Sequence, residues 1–142
     1  MTFDEKINEL IVALGTLSEQ KKMKWISVAD YMQTEMNRSL KMHLIECNKY
    51  AYSFINNSIL DEYESICTEY KDGMVYLFKH VINGKKEFYQ LGLQTNMVAS
   101  IIFFNDESSF QKEINELIEK IGGIQEPVDQ YMQSIIDEAN EF

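Results

Sequence analysis

The dipeptide Asn83-Gly84, set between two strand-like runs, Met74–Ile82 and Lys85–Leu93, constrains this chain more than any other feature. Asn-Gly supplies the positive φ angles that tight hairpin turns need, and Asp72-Gly73 does the same one strand earlier. With Thr95-Asn96 as a third turn, Ser65–Tyr70, Met74–Ile82, Lys85–Leu93 and Met97–Phe104 read as a four-stranded antiparallel meander. Counting outward from a two-residue loop predicts a register: Ile82 opposite Lys85, His80 opposite Glu87, Phe78 opposite Tyr89 and Tyr76 opposite Leu91. One face then carries Tyr76, Phe78, Tyr89, Leu91, Ile102 and Cys67. The other, with Val75, Leu77, Phe88, Ile101 and Phe103 among Lys79 and Gln90, is also apolar, so helices are expected on the first face and further cover on part of the second.

The flanks change period from two to 3.6. Thr2-Phe3-Asp4-Glu5 has capping-box spacing, and Ile7, Leu10, Ile11 and Leu14 follow as a helical stripe that is expected to stop at Gly15, with Ser18-Glu19 opening the next helix. Val28, Ala29, Met32, Met36, Leu40, Leu44, Cys47 and Ala51 continue at helical spacing, either as one long helix to about residue 54 or as two broken near Asn37-Arg38-Ser39. Beyond the strands, Phe110, Ile114, Leu117, Ile118 and Ile121 form one stripe that ends at Gly122-Gly123, with Glu116 and Lys120 as an i,i+4 pair. Pro127 suits a first helical position, and Val128, Tyr131, Met132, Ile135, Ile136 and Ala139 line one face of the terminal helix. The expectation is a single α+β domain over 1–142: N-terminal helices, a four-stranded antiparallel meander and two C-terminal helices, with helices on the Tyr76/Phe78/Tyr89 face.

Composition supports a real core: 45% of the 142 residues are hydrophobic and 12% aromatic, enough to close one domain without metal or disulfide staples. Cys47 and Cys67 form no CxxC pair, no apolar run approaches the roughly 20 residues of a membrane span, and no signal-like leader opens the chain, so a cytoplasmic protein is expected. Charge is unevenly divided. Residues 1–60 hold seven acidic and seven basic side chains, 61–104 hold six and four, and 105–142 hold ten and two, so the net −10 resolves into 0, −2 and −8. Such an anionic pole repels phosphate backbones and anionic membranes and speeds encounter with basic surfaces.

The parts of the familiar enzymes are missing. No GxGxxG, GxxxxGK[ST], HExxH, GxSxG or EF-hand loop occurs. His43, Cys47, Cys67 and His80 are the only donors for a Cys2His2 site, but only His43 and Cys47 are close in sequence, and Cys47 lies on an apolar stripe; both cysteines read as structural and His80 as the cross-strand partner of Glu87. A Cys–His nucleophile pair lacks an orienting third group and oxyanion donors. Catalytic carboxylates must converge from different elements on one cleft, whereas the acids of the terminal helix point to its outer face. No catalytic residue, metal or cofactor is therefore assigned.

Two binding readings follow. The acidic residues Glu126, Asp129, Asp137, Glu138 and Glu141 suit electrostatic steering toward a basic protein, which points to a small non-enzymatic inhibitor, such as an immunity protein or anti-defence inhibitor that occludes a nuclease or other nucleic-acid enzyme. The alternative is a winged helix-turn-helix, with Arg38, Ser39, Lys41 and Met42 opening a recognition helix and Lys85-Lys86 as the wing; the neutral N-terminal half and anionic remainder weigh against it. A third expectation is an accessory protein or homodimer whose two-sided sheet is covered by another copy.

Overall fold

A computed structural model describes the chain apart from residues 1, 35–36, 51–57, 83, 97, 123–126 and 142, and apart from the side chains of 45–50, 58 and 127–130. The fold is α+β; the described residues form five helices and a five-stranded antiparallel sheet in the order β1-β2-β3-β4-β5. Element order is α1 (Phe3–Glu19), β1 (Ile26–Ser27), α2 (Val28–Thr34), α3 (Arg38–Tyr50), β2 (Ser58–Tyr70), β3 (Gly73–Ile82), β4 (Lys86–Gln94), β5 (Ile102–Phe103), α4 (Gln111–Ile121) and α5 (Pro127–Ala139). The meander expected from the turns corresponds to β2 to β5, but β2 begins at Ser58 rather than Ser65, and β5 is Ile102–Phe103 rather than the expected Met97–Phe104. The short strand β1, pairing Ile26 with Cys67 and Ser27 with Ile66, adds a fifth member at the edge.

The register of the central hairpin differs from the expected one by one residue. Ile82 pairs with Lys86, Lys79 with Tyr89, Leu77 with Leu91 and Tyr76 with Gly92. Three residues therefore close the loop rather than two, with Gly84 at φ +69° and the Lys85 amide donating to the Ile82 carbonyl at 3.0 Å. Gly84 is the third residue of the turn closed by that bond, and glycine takes its positive φ there without steric cost. Because side chains alternate, the one-residue slip moves every β4 side chain to the opposite face. Tyr89 and Leu91 thus leave Tyr76 and Phe78 and join Ile66, Val75 and Leu77; Phe103, not Ile102, lies with Phe78, their rings 5.9 Å apart. Ile102 is exposed. Lys79, not His80, makes the ion pair with Glu87, at 3.3 Å, while His80 stands opposite Phe88.

Both sheet faces are covered by the chain's own helices. On one, Ile7, Ile11 and Leu14 of α1 and Ile114 and Leu117 of α4 pack with Ile66, Val75, Leu77 and Leu91. On the other, Val28 and Tyr31 of α2 and Leu40 and Leu44 of α3 pack with Leu60, Cys67, Met74, Tyr76 and Phe78. Gly92, opposite Tyr76, makes room there: a Cβ on it would meet Ile101 Cγ2 at 2.9 Å and Phe103 Cε1 at 3.2 Å.

The helices form for the local reasons the sequence gives, with two changes of extent. The capping box of α1 is present, the Glu5 amide donating to Thr2 Oγ1 at 3.2 Å and the Thr2 amide to Glu5 Oε2 at 3.3 Å. Gly15 does not end this helix. It is buried against α4, with Lys120 Cδ at 3.0 Å from where a Cβ would stand, so the two helices approach closely there. Ser18 lies inside α1 rather than opening a new helix; its hydroxyl donates to the Leu14 carbonyl at 2.7 Å and accepts from Trp25 Nε1 at 2.9 Å, drawing the chain back onto the helix. Lys120 reaches Glu19 of α1, at 3.8 Å, rather than Glu116. The stripe from Val28 is two helices, and Asn37 caps the second through Leu40 N to Asn37 Oδ1 at 3.0 Å.

Candidate functional site

Of the acidic residues assigned from the sequence, Asp129, Asp137 and Glu138 belong to α5 and Glu141 lies just beyond it. The first residue of α5 is Pro127, as the spacing predicts. Every residue from 131 to 141 is exposed, the apolar ones included: Tyr131 is 69% exposed, Met132 54%, Ile135 54% and Ile136 48%. Among the described residues this stripe is therefore not part of the core, whereas α4 packs on the sheet through Ile114 and Leu117. At 100° per residue Tyr131, Met132, Ile135 and Ile136 share one side of α5, with positions 129 and 138 at its two margins.

Asp137, Glu138 and Glu141 are exposed; Asp137 accepts a hydrogen bond from Gln133 Nε2 at 2.8 Å, the i,i+4 partner on its own helix. Asp129 lies in α5, with its side chain outside the described residues, and Glu126 lies outside them altogether. No basic residue follows Lys120 in the sequence, and the ion pairs among the described residues, Lys79–Glu87 and Lys120–Glu19, leave the α5 acids out. Asp137, Glu138 and Glu141 thus stay in contact with water.

The residues of the DNA-binding reading are also at the surface. Arg38 and Lys41 are exposed on the first turns of α3, and Met42 is half exposed. Together with Ser39, His43, Ser100, Ile101 and Phe103, Arg38 and Met42 line an open cleft of about 390 Å³. The proposed wing is remote from it. Asn37, which precedes the recognition turn, is hydrogen-bonded to Gln94 at one end of β4, whereas Lys85-Lys86 is at the other, ~26 Å of strand away.

Sequence reasoning missed the network that fixes this corner. Asn37 Nδ2 donates to Tyr76 Oη at 2.7 Å and to Gln94 Oε1 at 2.8 Å; Tyr76 Oη donates to the same Gln94 oxygen at 2.6 Å, and Gln94 Nε2 donates to the Ala99 carbonyl at 2.8 Å. All three side chains are at least 98% buried, and burial holds the Tyr76 hydroxyl far above its ordinary pKa. A fully bonded group in this setting is a rigid joint between α3 and the sheet. Its one sequence signal is Asn37 immediately before a helix start.

The two histidines share an aromatic cluster. The His43 ring lies 4.9 Å from that of Phe78 and 4.7 Å from that of Phe103, and burial, aided by His80, lowers its pKa from 6.5 to about 4. His80 stacks on Phe88 and meets Gln90 Oε1 at 3.2 Å; burial lowers its pKa too, against the opposing effect of that hydrogen bond. Both rings are neutral at pH 7. Cys67 is free and buried, its thiol pushed up to about 12 by burial, which leaves it unreactive as a nucleophile. It stands opposite Tyr76, not beside His80, whose partner on β2 is Leu60; the Cys47 side chain lies outside the described residues. Among the described residues no three His, Cys, Asp or Glu side chains converge as metal ligands, and no helix is long and apolar enough to cross a membrane.

No protein-family model, curated protein or solved structure matches this chain.

Proposed function

We propose that this protein is a small, non-enzymatic inhibitor that occludes a basic partner, of the kind represented by immunity proteins and anti-defence inhibitors acting on nucleases or other nucleic-acid enzymes. The observation that carries the reading is the state of the C-terminal pole: Asp137, Glu138 and Glu141 are exposed, outside any ion pair among the described residues, on a segment with no cation after Lys120. Enzymes that act on nucleic acids carry cationic clefts, and an anionic domain reaches such a cleft quickly and competes there with the phosphate backbone.

The test is capture from the native host with the unaltered chain and with Asp137, Glu138 and Glu141 changed to Lys, followed by kinetics with the basic protein recovered. The reading expects capture by the original only, inhibition of the captured protein's activity, and an association rate that falls steeply with salt. An association rate indifferent to ionic strength refutes it. Exposure of Arg38 and Lys41 supports the DNA-binding alternative; a gel shift at low salt with no retarded duplex eliminates that alternative.

A further inference from the structure

Resting on the inhibitor reading above, we infer that α5 itself is the ligand element: it docks through Tyr131, Met132, Ile135 and Ile136 into an apolar groove of the basic partner whose rims carry Lys or Arg. Two independent features converge on this contact. The first is apolar: four large side chains on one side of α5 are 48–69% exposed, although the molecule's two sheet faces are already covered by α1 with α4 and by α2 with α3. A 13-residue helix is marginal in water without a packed face, so covering the stripe stabilises helix and contact together. The second is electrostatic. Asp129, Asp137, Glu138 and Glu141 belong to the same segment, and no Lys or Arg does.

That charge pattern decides the occupant. If a second copy supplied the groove through its own α5, two helices with three carboxylates each and no cation would be brought into contact. Like charges at such spacing repel, and the apolar gain would be spent against them. A groove rimmed by Lys or Arg turns the two charges at the margins of the stripe, positions 129 and 138, into attraction and register, while Asp137 on the far side and Glu141 just beyond the helix add to the long-range field. This is the amphipathic helix-in-groove mode, read from apolar residues at i, i+1, i+4 and i+5, with Tyr131 the residue type most often found as an anchor.

The experiment uses the full chain and defined peptides in isothermal titration calorimetry. The first is an 18-residue Leu/Lys peptide with leucines on one helical face; a second scrambles the same composition so that no face forms; a third replaces every Lys by Glu. The inference expects the first peptide to bind, the others at least about tenfold more weakly, and I135A/I136A to lose about tenfold for the first peptide, with α5 kept helical because Ala is the best helix former. Circular dichroism of the variant checks that last point. Equal binding of the scrambled peptide, equal binding by I135A/I136A, or a dimer that forms without peptide and disappears in I135A/I136A overturns the inference. The two readings fail separately. If D137N/E138Q/E141Q abolishes binding while I135A/I136A does not, the basic-partner reading stands without the stripe as anchor; if the Glu peptide binds as well as the Lys peptide, both fall.

Discussion

Strand β3 and helix α5 both carry apolar stripes, and they end in opposite environments. Met74, Tyr76, Leu77 and Phe78 are at most 2% exposed between two helical layers, while Ile135 and Ile136 of α5 are about half exposed. The difference lies in position, not in hydrophobicity. β3 is the middle strand of five, so each of its faces meets a helix layer, and its backbone is paired on both edges. α5 follows after four helices have already taken the two faces. An amphipathic pattern therefore says that a face will be covered, not by what.

Substitutions can break or sharpen this contrast. The largest effect is expected at Phe78, fully buried and stacked with Tyr76 at 5.2 Å. Phe78→Ala should cost about 3–5 kcal/mol in urea unfolding, through lost transfer energy and the cavity left behind. Next is the polar joint: Gln94→Ala leaves Tyr76 Oη and Asn37 Nδ2 each short of a partner in a closed site, at an expected cost of about 1–3 kcal/mol by the same measurement. A near-neutral Gln94→Ala would show that the joint between α3 and the sheet is not rigid.

Acid should weaken the body through its histidines. His43 titrates near 4 when folded and near 6.5 when unfolded, so above pH 6.5 both states are neutral and stability is complete. As pH falls from 6.5 toward 4, the unfolded chain takes up a proton that the folded chain refuses, and stability drops by at most about 1.4 kcal/mol per pH unit. His80 acts in the same direction. Urea midpoints measured across this range, with His43→Gln as comparison, should show a shallower decline in the variant. The smallest effect belongs to α5: Ile135→Ala should change unfolding free energy by no more than about 0.5 kcal/mol, as for an exposed position. A loss of 2 kcal/mol there would mean that the stripe belongs to the protein's own core and would remove the contrast altogether.

Several features of the chain were legible from residues close in sequence. The capping box at Thr2 and Glu5, Pro127 at a helix start and the helix end at Gly122 are decided within a few residues, where backbone sterics and hydrogen bonding act. The short edge strand β1 was not legible, because Ile26 and Ser27 carry no alternation of their own; they become a strand only when Cys67 and Ile66 offer an edge. The edge of β4 is similar. Asn105 and Gln111 look like loop residues, yet their amides take the place of a neighbouring strand: Asn105 accepts from the Leu91 amide at 2.7 Å and Gln111 from the Tyr89 amide at 3.1 Å.

The sequence by itself determined the α+β class, the order of the main strands and helices, and the gathering of negative charge at the C-terminal end. Tertiary structure decided which face each β4 residue occupies, that α1 runs through Gly15 to meet α4, and that the stripe of α5 stays in water. The physical reason is the same in each case. A slip of one residue in a hairpin, a glycine between helices, or a helix left over after a sheet is covered changes nothing in the local pattern; only the space offered by distant parts of the chain distinguishes the outcomes.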